Sequence, residues 1–107
     1  KIATAKAETV LQQKQYEYNT QVFEVQRKQA IQEVQKNNSL LLFYETTGLK
    51  QAEEITKASS LAYRAGEISF AELSQYLTQS IDIQKNYLEV LNTYNQSVIH
   101  YNFYINQ

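Results

Sequence analysis

The chain has no cysteine, no proline and no tryptophan, and only two glycines in 107 residues. Without cysteine there is no disulfide framework and no thiolate metal site. Without proline, no residue forbids a helix from running on. Net charge is scarce as well. Ten Lys and Arg stand against eleven Asp and Glu, a formal balance of −1. That balance provides no basic field for nucleic acid or for anionic lipid. The longest apolar run, "LLLFY" at Leu40–Tyr44, falls far short of the ~20 residues of a membrane-spanning helix. No signal-peptide pattern opens at Lys1. The first residues, "KIATAKAETVLQQKQ", read as the interior of a helix without a cap. The expectation is a chain cut from a longer protein, in one helical domain spanning residues 1–107.

What is present is helix-forming. Ala, Gln, Glu, Lys and Leu dominate residues 1–65. Val34, Leu41, Gly48, Ile55 and Ala62 recur every seven residues, and Tyr16, Phe23 and Ala30 make a second ladder. Two apolar stripes call for two neighbours. The weak point is "ETTGLKQ", Glu45–Gln51, where two β-branched Thr and Gly48 lower helix propensity. A kink is expected there.

A turn follows. Gly66 stands where a helix C-terminus wants a left-handed residue. Ser69 and Glu72 form S-x-x-E, a capping-box pattern. One helix should end near Ala65 and another begin near Phe70. So short a link joins antiparallel helices. The second helix carries Phe70, Leu77, Gln84, Leu91, Val98 and Ile105 in one heptad position. Leu73, Ser80, Tyr87, Tyr94 and Tyr101 occupy the other. The fold class is therefore all-α: a long antiparallel helical hairpin of coiled-coil type, with its turn at about residues 66–69. Each arm beyond the turn should be roughly 55 Å long. Small residues near the turn (Ala52, Ala58, Ser59, Ser60, Ala62, Ala65) should make the hairpin narrow at its tip.

The second helix has few charges. From Ser69 onward they are Glu72, Asp82, Lys85 and Glu89, with His100 titratable. A neutral polar face of Gln, Asn, Ser and Thr suits packing against further helices or the lining of a wet passage. A hairpin alone buries few layers. Burial at ~25 cal/mol per Å² barely meets an ordering cost of about 1–2 kcal/mol per residue. Self-association, or packing against neighbouring hairpins of the parent chain, is expected.

No catalytic constellation emerges. His100 lacks acidic or second histidine partners one turn away, so it reads as a surface or seam residue and not a ligand. The Tyr ladder lacks the interleaved Arg and Lys of a base-stacking surface and reads as packing. Glu72 has a capping role, and Glu67 beside the turn reads as solvated. No enzyme, cofactor or metal site is implied. A membrane-surface helix would need more Lys and Arg.

The segment "LAYRAGEISFAELSQYLTQSIDIQKNYLEVLNTYNQSVIHY", with "ETTGLKQAEEITKASSLAYRAG" before it, resembles the TolC-like outer-membrane efflux protein family. The specific element is the Y-x-x-G turn with heptads on both sides, and the likeness covers about Thr46–Tyr101. It implies a periplasmic helical barrel in the envelope of a Gram-negative bacterium. It also implies a hairpin tip that docks a periplasmic adaptor protein, itself linked to an inner-membrane pump of the RND type. Carried onto this chain, the docking tip would be Tyr63, Arg64, Ala65, Gly66, Glu67, Ile68 and Ser69, with Gly66 allowing close backbone approach. The sequence departs from the family at Leu73-Ser74-Gln75, where Leu-Asp-Ala is usual, and at Lys50, near which Pro is common. It carries one repeat where members have two, and no β-barrel strands. Similar segments stand at the C-termini of heavy-metal cation efflux pumps, which would make metal cations the exported cargo. The rival from another class is an independent structural coiled-coil module, which would tolerate a different turn.

Overall fold

The two arms of the molecule follow from two uninterrupted stretches of helix-forming sequence and one capped break between them. The computed structural model describes residues 2–106. The first arm is α1 (Ile2–Phe43), a π-helical turn (Tyr44–Gly48) and α2 (Leu49–Arg64). The second is α3 (Phe70–Ile105), which runs back antiparallel to it. The described residues contain no strand. The molecule is a rod of 93 × 22 × 14 Å. The first arm outruns the expected length, because α1 extends well past the level where α3 ends.

Several Thr residues sit inside these helices at no cost in exposed hydroxyls. Thr9, Thr20, Thr46 and Thr78 each donate to the carbonyl four residues back. That back-bonding satisfies the side chain without competing for a backbone N–H.

On α3 the contact line is the ladder Leu73, Ser80, Tyr87, Tyr94 and Tyr101, every member half-buried or buried. The other expected ladder only flanks it. Leu77, Leu91 and Val98 are half-buried, but Phe70, Gln84 and Ile105 are exposed. The opposite flank is Ile83, Val90, Ser97 and Tyr104, all half-buried. A central row with two flanks is what a helix shows when it packs against one neighbour.

The first arm has the matching row with one irregularity. Phe23, Ala30, Asn37 and Tyr44 are seven apart and shielded. The next member should be Gln51, yet Gln51 is exposed and the buried residues are Ala52 and Ser59. The row resumes one residue late. The π turn lies between, and in it the Leu49 N–H donates to the Tyr44 carbonyl five residues back. A π turn holds one residue more than an α turn, so it absorbs the inserted residue and returns the row to the seam. Where a kink is expected near Gly48, the helix runs on through a widened turn. Gly48 is buried there, and a Cβ on it would lie 2.9 Å from Tyr44 Cδ1. The Tyr44 ring therefore rests on the glycine. The ladder Val34–Leu41–Gly48–Ile55–Ala62, continuous in the sequence, changes sides at this point. It lies four residues after Ala30 and Asn37, but four before Ala52 and Ser59.

Polar ties join the arms at three levels. Ser80 Oγ donates to the Ala52 carbonyl at 2.9 Å and lies 2.8 Å from Thr56 Oγ1. Gln84 Nε2 reaches the same Ser80 oxygen at 3.5 Å. Further along, Tyr87 OH donates to Glu45 Oε1 at 3.3 Å, and Tyr104 OH to Gln26 Oε1 at 3.3 Å. A side-chain bond onto a backbone carbonyl of the facing helix requires close approach, which Ala52 (1 % exposed) and Ser80 (2 % exposed) permit. The two salt bridges among the described residues, Glu24–Arg27 and Glu53–Lys57, each stay on one helix.

Replacing Ala52 with Leu should push the arms apart at this level and break the Ser80 bond. A loss of about 1–3 kcal/mol is expected for overpacking of this kind, read as a lower thermal midpoint. An unchanged midpoint would mean that the arms do not meet there. The Tyr87 phenol is held above its ordinary value of 10.0, chiefly by burial and then by the nearby Glu45 carboxylate. The fold thus favours the neutral phenol. That contribution is complete below the ordinary value and is lost as pH climbs through the raised one. Tyr87→Phe should therefore show a shallower fall in thermal midpoint above pH ~10 than the unsubstituted chain.

Candidate docking tip

The tip is built from two capping devices placed back to back. At the end of α2 the Gly66 N–H donates to the Tyr63 carbonyl at 3.0 Å, and the Glu67 N–H to the Ala62 carbonyl at 2.9 Å. Those two bonds make a Schellman motif. It requires a left-handed residue between them, and Gly66 has φ +76°. Arg64 stands in the last turn, where the carbonyl end of the macrodipole favours a cation. Then Ser69 takes extended backbone with ψ 166° and caps α3. Its Oγ accepts from the Glu72 N–H at 3.1 Å, and its own N–H donates to Glu72 Oε1 at 3.4 Å. The reciprocal pair satisfies two backbone donors at the start of the helix. Glu72 thus serves as the reciprocal member of the cap.

The seven residues singled out in the sequence form this turn contiguously, but they do not all face outward. Arg64, Ala65, Gly66, Glu67 and Ser69 are exposed. Tyr63 is 43 % exposed. Ile68 folds back and is half-buried. With Ile55, Ala58, Ser59, Ala62 and Tyr76 it lines a shallow apolar groove of about 320 Å³ beside the tip. A Cβ built on Gly66 would meet nothing within 4 Å. Within this chain, the constraint on Gly66 is its positive φ and not crowding.

Two outward side chains were missed by sequence reasoning. Phe70 is 69 % exposed and packs edge-on against Tyr63, ring centroids 6.2 Å apart. Leu61 is 64 % exposed. Phe70 shares its heptad position with Leu77 and Leu91, and that position disguised it as core. Its place directly after the N-cap was the usable signal, since a first-turn residue at a hairpin end has little across from it. The tip therefore combines fixed backbone, an aromatic pair across the turn, and solvent-facing apolar surface. The narrowing expected at the turn occurs about two to four helical turns behind it, at Ser59, Ala52 and Ser80.

The remaining candidates have structural surroundings. His100 packs edge-on against Tyr104 at 5.0 Å, and Tyr104 also meets Phe23 and Phe103 at 5.4 and 5.3 Å. Among the described residues no three His, Cys, Asp or Glu side chains converge as a metal site would require. Nor is any described helix long and apolar enough to cross a membrane. No family model, no curated protein and no solved structure matches the chain.

Gly66→Ala should cost about 1–2 kcal/mol, because a Cβ is disfavoured at this φ. Ser69→Ala should cost about 1 kcal/mol through loss of the cap. Both are read from denaturant melts with helicity retained in water. Indifference to both changes would mean the turn is not held as described.

Proposed function

We propose that the chain acts by contact and not by chemistry, as the helical hairpin of a TolC-like tripartite efflux assembly. In this reading the sides of the rod pack against neighbouring hairpins in a periplasmic barrel. The tip docks an adaptor protein, and the assembly exports metal cations or drugs through an inner-membrane RND pump. The observation that carries the reading is the tip itself. A doubly capped turn presents Leu61, Tyr63 and Phe70 to solvent at the end of a 93 Å rod. Aromatic and aliphatic side chains on a rigid support are what a docking contact uses. The sparse charge of α3 supports lateral packing.

The second reading is an independent coiled-coil oligomerisation module. It is favoured by one observation of its own: the buried apolar residues are Ala30, Leu41 and Ala52, while Ile81, Leu88, Ile99 and Phe103 on α3 are exposed. Such faces seek a partner wherever the protein works.

One substitution separates the two. Exchanging residues 63–69 for a generic capped loop leaves the seam intact. Cells carrying the exchange in the parent protein should lose tolerance to the exported metal or drug, while the hairpin keeps its helicity and self-association. Undiminished tolerance with the exchanged tip would overturn the docking role and leave the oligomerisation module.

A further inference from the structure

The insertion in the first arm has a property that concerns the middle of the rod and is independent of what the tip binds. A one-residue insertion need not sit at one place. If the π turn stood one heptad nearer the tip, Gln51 would replace Ala52 in the seam and every other row member would stay. If it stood one heptad nearer the N-terminus, Glu45 would replace Tyr44. Each displacement changes a single layer. The present position is favoured because both alternatives bring a polar side chain into the contact line.

Both alternatives also find partners waiting. The level that Gln51 would enter already holds the Ser80 and Thr56 hydroxyls and the Gln84 amide, all within 3.5 Å of Ser80 Oγ. The level that Glu45 would enter holds Tyr87, whose hydroxyl already donates to Glu45 at 3.3 Å. A buried amide or carboxylate with a hydrogen-bond partner is far less costly than one without.

We infer that the π turn is a movable register device. It rests at Tyr44–Gly48 between two polar stops, Glu45 and Gln51, and can pass a stop by turning one heptad of the first arm by about 100° against α3. No hairpin opening is needed, because the rows on either side keep their phase. The rotation is confined to that heptad, and the tip and the outer arm keep their places on an intact rod.

The absence of cysteine makes disulfide trapping clean, since introduced thiols are the only ones. Three variants decide the matter: Ala52→Cys with Ser80→Cys, Gln51→Cys with Ser80→Cys, and the second pair with Thr47 deleted. Disulfide geometry tolerates little error in Cα separation, so each bond reports which residue faces position 80. The first pair should oxidise fast. The second should oxidise to completion but roughly ten- to a hundredfold more slowly, as for a minor state of a few per cent, with helicity unchanged. Deleting Thr47 removes the inserted residue, makes the heptads continuous, and should abolish the second bond. A Gln51–Ser80 pair that stays reduced would overturn the device. So would one that closes only with loss of helicity, or that closes equally well without Thr47.

Discussion

Two helices laid side by side share one line of contact, and everything in this molecule is arranged along it. There is no interior away from that line. A side chain either lies in the row, flanks it, or faces water. The line must therefore be kept by phase alone. On α3 a strict seven-residue recurrence does this, which in a left-handed supercoil holds the same face inward over many turns. On the first arm the same face is held across an inserted residue by widening one turn. The close contact at Ala52 and Ser80 is possible only because the row comes back into phase before it reaches that level.

The ends of the line are handled differently from its middle. At the turn the Schellman bonds and the Ser69–Glu72 box satisfy the backbone groups locally, and the Tyr63–Phe70 pair adds a contact across it. Most side chains there face outward, with Ile68 the one that folds back. Along the middle, small residues and hydroxyls replace the large apolar layers of a thicker bundle. Tyrosine then fills the levels beyond, with Tyr87 in the row reaching Glu45 and Tyr104 on the flank reaching Gln26 on the facing arm. A half-buried position on a thin rod has water within reach of the ring edge, and the phenol suits both surroundings.

The hairpin, its turn and both caps were legible in the sequence, because Gly66, Ser69 and Glu72 act locally and their chemistry depends on no distant residue. The row on the first arm was legible only at Phe23 and Ala30; Tyr16, read with them, is exposed, and the continuation through Asn37 and Tyr44 to Ala52 was hidden. Val34, Leu41, Gly48, Ile55 and Ala62 keep a perfect interval, and an interval carries no mark of a widened turn within it. The clue was that Ala30 and Ala52 cannot belong to one uninterrupted heptad register. Which ladder of α3 forms the centre was equally hidden, since Phe70 and Leu91 look alike until the partner's length and level are known. At the tip the turn residues were legible, whereas the inward fold of Ile68 and the outward stance of Phe70 depend on how α2 and α3 lean together. That is a property of the pair and of neither helix alone.

No ion pair among the described residues crosses the seam. The arms are joined by apolar contact and by hydrogen bonds between neutral groups, with Glu45 the one charged participant. Screening by dissolved ions acts on separated charges and leaves such contacts nearly untouched. The cohesion of the rod is thus almost blind to salinity. A hairpin built this way would keep its shape in surroundings whose salt content the cell does not control, where a coiled coil laced by lysine–glutamate pairs would loosen and tighten with every change outside.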